Sequence, residues 1–253
     1  MIGSQSLVAL ACGDSYGSYY EHEGLLGVTF DINKLPNKPL FPKITDDTKM
    51  ATILYKHYMK NKAIDVEALT MEYKYWAIRH GNEDGIGIHT RTVLVNGVKN
   101  KDSQGNGALM RVIPFGVKLI KDGYSFERAV EFMNIDAAIT HKNETIFMCN
   151  QLCLDVAING LNTIYKDEYH GLLSRLHQGS TAWVIHTVYI VIKTLKQELN
   201  FLDGFKYIVS QGGDTDTNCA VYGAVKGCQQ DIVKEINLCD FLPTSGFQDV
   251  KQI

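Results

Sequence analysis

Two acidic runs carry the residue types best suited to chemistry in this chain: Thr45-Asp46-Asp47-Thr48 towards one end and Gly212-Gly213-Asp214-Thr215-Asp216-Thr217-Asn218 towards the other. Each has two carboxylates flanked by Thr hydroxyls at what reads as the first turn of a helix. Together they could form an all-oxygen cage for hard divalent cations. Taken singly, either run has a simpler reading, because Asp and Thr at a helix start cap backbone N–H groups and complement the helix dipole. One cap needs one carboxylate, however, and each run has two. If all four converge, each pair at about 4 Å repels by roughly 1 kcal/mol in water and roughly 4 kcal/mol at an effective dielectric of about 20. A bound cation removes that penalty. Oxygen-only ligation with no nearby Cys or His favours magnesium, manganese or calcium over zinc, and the absence of an EF-hand pattern argues against a calcium-sensor loop.

A second cluster is built on glycine. Gly105-Asn106-Gly107-Ala108-Leu109-Met110-Arg111 stands just before an apolar helical pattern, where backbone amides could approach an anionic or sugar ligand. The plain alternative is a Gly-rich turn in which Asn106 caps the next helix. Gly13-Asp14-Ser15-Tyr16-Gly17 with Glu21 is similar in kind; its glycines could serve close helix packing, with Glu21 a solvated loop acid.

The elements that must position these groups read as helices almost throughout. Met50, Ile53, Leu54, His57 and Tyr58 repeat at three-four spacing, as do Val66, Leu69, Tyr73 and Trp76 behind a plausible N-cap at Asp65. Ser125 can cap a helix that turns Ala129, Val130, Phe132 and Met133 inward, and Asn143 precedes an apolar segment that should stop at Asn159-Gly160. Thr181 to Leu195 is rich in β-branched residues, but its length and surroundings favour a core helix. Helical spacing explains two of the three members of the Tyr73, Tyr75 and Trp76 stripe, so core packing is a better reading than a platform for a base. From Leu25 to Lys43, Pro36, Pro39 and Pro42 with no helical period predict a long loop leading into the first acidic run.

Composition limits the rest. The chain has 253 residues and 45% hydrophobic content, enough for one large core. A net charge of -3 gives no general attraction to nucleic acid or anionic membrane, and neither is expected as a partner. The six cysteines fall inside apolar patterns without a CxxC pair, as in reduced cytosolic proteins, and no signal peptide or membrane span is evident, so a cytoplasmic location is expected.

With these pieces assembled, the chain resembles the ADP-ribosylglycohydrolase family. The match runs in order through Gly13 to Gly17 with Glu21, TDDT at 45 to 48, Ile86-Gly87-Ile88-His89-Thr90-Arg91, GNGALMR at 105 to 111, Thr140-His141, Ser180 to Thr187 and GGDTDTN at 212 to 218. The resemblance implies an all-α orthogonal helical bundle forming a single domain over residues 1–253, with a central cleft that holds two divalent metal ions, magnesium or manganese. It implies Thr45, Asp46, Asp47, Asp214, Asp216 and Thr217 as metal ligands. Ser103, Gly105, Asn106 and Gly107 would lie along phosphate and ribose, His141 would line the ribose end, and Trp183 would stack on the ligand. Asp216 and Asp46 would position water, with Glu21 or Asp47 as proton acceptor.

The implied activity is hydrolysis of ADP-ribose from a modified protein side chain, arginine first among acceptors, with an ADP-ribosylated protein as partner and ADP-ribose as product. Release from serine, from O-acetyl-ADP-ribose or from a nucleic-acid end stands as the alternative, as does a non-catalytic ADP-ribose-binding relative. The chain departs from the family at His186, where many relatives have Asp, and at Ala182, where Gly is common. A lone histidine in an apolar helix is read as a hydrogen-bonded core residue, and His186 is expected to be one.

Overall fold

A computed structural model describes residues 2–98 and 102–244, with side chains from residue 5 onward. Its helices in chain order are α1 (Ile2–Gly17), α2 (Glu21–Leu25), α3 (Asp46–Asn61), α4 (Val66–Arg79), α5 (Gly81–Asp84), α6 (Ile88–Asn96), α7 (Leu109–Lys121), α8 (Phe126–Thr140), α9 (Glu144–Asn159), α10 (His170–Leu173), α11 (Val184–Leu195), α12 (Phe201–Ser210), α13 (Thr215–Lys226) and α14 (Leu238–Phe241). No β-strand occurs among the described residues, so the all-α expectation holds. None of the described helices is long and apolar enough to cross a membrane.

Local signals set several boundaries. Asp65 accepts from the Glu67 and Ala68 amides to start α4, Ser125 Oγ accepts from Arg128 N to start α8, and Asn143 accepts from Thr145 N to start α9, which ends before Gly160 at φ 85°. The segment from Leu25 to Lys43 is largely loop, with one short 3-10 turn at Ile32–Lys34. Tyr73 and Trp76 are buried while Tyr75 is exposed, as helical spacing demands.

The central pair is α1 against α13, and glycine lets their backbones touch. A Cβ on Gly13 would lie 2.2 Å from the Cys219 carbonyl oxygen, one on Gly17 would lie 2.3 Å from that of Thr215, and one on Gly223 would lie 2.2 Å from that of Ala9. Any larger residue forces the helices apart, so the Gly13 and Gly17 pair is a packing device. Its consequence is functional, because it carries Asp14 to the start of α13. Helices α3, α7 and α11 pack around this pair, and a continuous cluster of buried apolar side chains runs from Leu7 in α1 to Val225 in α13.

Candidate active site

The two acidic runs begin α3 and α13, yet neither is used as a cap: Thr45 and Asp214 occupy the N-cap positions without a side-chain cap bond. The capping acceptor for α3 comes instead from α1. Asp14, fully buried, accepts from Thr45 N at 2.9 Å, Thr48 N at 3.2 Å and Thr45 Oγ1 at 2.8 Å, and also from the Thr48 hydroxyl. This distant acid satisfies the orphan amides of the first turn. Asp46 and Asp47 are thereby left for another purpose.

That purpose is visible in where the carboxylates gather. Oxygens of Asp14, Asp47 and Asp216 lie within 4.8 Å of one another, as do those of Glu21, Asp214 and Asp216, so the two triads share Asp216. Asp47 Oδ2 receives the Thr217 hydroxyl at 3.3 Å and lies 3.1 Å from Thr45 Oγ1, whose proton points to Asp14, while its Oδ1 is buried with no protein partner. A buried carboxylate oxygen without a donor is costly. Asp216 Oδ1 accepts from Thr217 N, and Asp214 Oδ2 accepts from Asn106 Nδ2 at 2.8 Å. Asp46 stands outside both triads; its Oδ2 accepts from Gly87 N at 3.2 Å and its side chain borders the cleft. Gly212 and Gly213, at φ 71° and 79°, make the left-handed turn that aims the second run at the first.

Charge crowding shows in the proton affinities. Burial, and then the charge of Asp214, pushes Glu21 up to about 7, and burial pushes Asp14 up to about 6 against its four donors. Asp46, Asp47 and Asp216 are held well above the usual carboxylate range by burial first and by their acidic neighbours second. The donor set is all oxygen, one oxygen is orphaned and the charges repel, so these residues fit hard divalent cations.

The glycine run lies across a cleft of about 460 Å³ from these acids. Asn106 N donates to Ala182 O and Val184 N donates to Gln104 O, both at 3.0 Å, so Gly105 and Trp183 form a single antiparallel bridge. Asn106 is not a cap: α7 starts at Leu109, and the Asn106 amide reaches Thr187 Oγ1 and Asp214. Behind the loop, fully buried Arg111 donates to Gly107 O at 2.6 Å and pairs with Asp136 at 2.8 Å, while Tyr73 donates to the same carboxylate. His141 ends α8 and borders the cleft with His89; burial, then Arg111 and His89, holds its imidazole well below the usual range, hence neutral.

The cleft brings Glu21, Asp46, Gly105, Asn106, Gly107, His141, Asp214, Asp216 and Thr217 to one surface. Thr45 and Asp47 are buried behind it. Ser103 and Trp183 are not among its walls; Trp183 is half-buried, donates to Gln104 Oε1 at 3.0 Å and sets its ring against His177 and His186. His186 is only partly buried, so the expectation of a core histidine is corrected: the residue faces His177, with the two Nε2 atoms 3.3 Å apart. Sequence reasoning missed Asp14 and His89 as site residues. The available signal for Asp14 was an acid between two glycines spaced to pack one helix face, and for His89 its place in the Ile86 to Arg91 segment.

A protein of Acanthamoeba polyphaga mimivirus named "Putative ADP-ribosyl glycohydrolase L543" is 25% identical, with 73% of this chain and 70% of that protein covered. A solved structure described as "ADP-ribosylglycohydrolase-related protein complex" matches 99% of this chain and 94% of its own with a TM-score of 0.75, at 19% identity, which shows a shared fold. The model of the ADP-ribosylglycohydrolase family matches residues 4–232, a span that takes in both acidic runs, the glycine loop and His141. This chain therefore belongs to the ADP-ribosylglycohydrolase family.

Proposed function

We propose that this chain is a divalent-cation-dependent hydrolase that releases ADP-ribose from a modified protein side chain, with ADP-ribosyl-arginine as its first substrate. The observation that carries this reading is the pair of carboxylate triads sharing Asp216, with Asp47 Oδ1 of the first triad buried and unpartnered. Asp14, Asp47 and Asp216 would hold one magnesium or manganese ion, and Glu21, Asp214 and Asp216 would hold a second. Asp46 and the Thr217 hydroxyl stand at the cleft surface to complete the ligand set, and Thr45 supports Asp47 from behind. When bound, the cations neutralise the acids and polarise a water molecule and the ribose hydroxyls.

Hydrolysis of the bond at the ribose anomeric carbon requires a water oxygen to bond to that carbon as the carbon–nitrogen bond breaks, with the proton that the water releases returned by way of a carboxylate to the leaving nitrogen. Asp46 and Asp216 orient the water. Its proton passes to a carboxylate, and Glu21 is favoured over Asp47 because Glu21 borders the cleft whereas Asp47 lies buried behind it. The amides of the Gly105 to Gly107 loop receive phosphate and ribose oxygens. Trp183 acts from outside the cleft wall, its backbone bridge to Gly105 clamping that loop.

The test is a panel of defined linkages, ADP-ribosyl-arginine, ADP-ribosyl-serine and O-acetyl-ADP-ribose, offered with magnesium, with manganese and with chelator. Cation-dependent release from arginine supports the proposal. Release from another linkage alone redirects it, and tight ADP-ribose binding without release identifies a non-catalytic relative.

A further inference from the structure

The neutral end of the cleft contains a proton-ordering device centred on Thr140. Its hydroxyl oxygen receives Arg111 Nη2 at 3.0 Å and stands 2.8 Å from His141 Nδ1. A guanidinium only donates. Thr140 Oγ1 is therefore the acceptor in the first contact, and its one proton is free for the second. Three other helical threonines, Thr70, Thr92 and Thr194, donate to the carbonyl four residues back, those of Val66, Ile88 and Ile190. At Thr140 the equivalent carbonyl, that of Asp136, is already taken by Arg111 Nη2 at 3.2 Å. Among the described residues, His141 Nδ1 is the acceptor that remains.

We propose that Thr140 is a positioning residue that fixes His141 with a bare Nδ1 and a protonated Nε2, making His141 a permanent hydrogen-bond donor to a phosphate or ribose oxygen of the ligand. The glycines leave room for this. A Cβ on Gly105 would lie 3.3 Å from His141 Nε2, and one on Gly107 would lie 3.0 Å from Cε1, so the loop runs along the donor edge of the ring. The main chain of the same threonine provides a reference, because Thr140 O accepts from His89 Nε2 at 2.9 Å. Removing the hydroxyl should disturb His141 and leave the His89 contact in place. The inference rests on the proposed function only for the identity of the ligand.

Nitrogen-15 NMR of the imidazoles in the ligand-free full chain reads the tautomer directly. The expected spectrum shows His141 with unprotonated Nδ1 and protonated Nε2 throughout neutral pH; a protonated Nδ1 overturns the proposal whatever the protein's substrate. Thr140→Val removes the hydroxyl and Thr140→Ser keeps it. With magnesium present, the valine variant should bind ADP-ribose about ten-fold more weakly and the serine variant within about threefold of wild type, the range expected for one hydrogen bond. Unchanged affinity in a valine variant that retains its His89 signal also overturns it. If wild type does not bind ADP-ribose, the functional reading fails, and the tautomer measurement still decides this one. If the valine variant does not fold, the wild-type tautomer and the serine variant decide.

Discussion

The two walls of the cleft solve opposite electrostatic problems. On one side Asp14, Glu21, Asp47, Asp214 and Asp216 crowd like charges into a buried space and leave Asp47 Oδ1 without a donor. On the other, Arg111, Asp136, Tyr73, Thr140 and His141 form a network in which charge is paired, the hydroxyls donate and the imidazole is neutral. The acidic wall is incomplete as protein alone, whereas the neutral wall is finished when the chain folds. A ligand that meets both needs an electropositive partner on one side and hydrogen-bond acceptors on the other.

The comparison breaks most severely at Asp216, which both triads share. Asp216→Asn should lower turnover by at least about 10³-fold, the scale for losing a group central to charge stabilisation. Without metal the variant should be as stable as wild type or more so, because one of the repelling acids is gone. Turnover assays paired with thermal melts check this; near-wild-type turnover rejects the shared-carboxylate account.

Breaking the neutral wall should act on stability. Arg111→Met strands the Asp136 carboxylate in the core, a change that costs about 3–5 kcal/mol and for a chain of this size about 10 °C in melting temperature. Calorimetry measures it, and a melting temperature within about 1 °C of wild type shows that the pair does not organise this side. Glu21→Gln should reduce kcat by about 10²-fold while ADP-ribose affinity changes little. A loss confined to binding makes Glu21 a ligand-positioning group and not the proton acceptor.

The smallest effect separates the walls by pH. In the metal-free protein Glu21 and Asp14 keep their protons to about 7 and about 6, while in the unfolded chain such acids ionise at about 4. Between these limits the native state holds more protons than the unfolded state, so stability falls as pH rises through the window. Melting temperature without metal should be higher at about pH 5 than at about pH 7.5, and saturating magnesium should flatten that slope. A slope unchanged by magnesium means that the acids are not its binding site.

Much of this was legible in the residues, and for identifiable reasons. Asp65, Ser125 and Asn143 signal their helices because the donors they cap lie two or three residues on. The acidic runs were legible because two carboxylates at one helix start exceed what capping needs. Asp14 was not, since the amides it caps lie 31 and 34 residues away, beyond any local pattern. The apolar segment from Thr181 misled by three residues: Thr181 and Ala182 form a bend, Trp183 is extended beside the glycine loop, and α11 starts at Val184. Asn106 was open to two readings because a capping amide and one that reaches Asp214 look identical until the distant aspartate is in place. His186 was placed in the core because its neighbours are apolar, but the helix turns it towards His177 and the surface.

Counting manganese ions bound at equilibrium, by the paramagnetic signal of the free ion, bears most directly on the acidic wall. Wild type should take up two ions per chain and Asp216→Asn should lose at least one of them at the same free concentration. Equal uptake by the two proteins, or none by either, would contradict the assignment of the triads as a cation site.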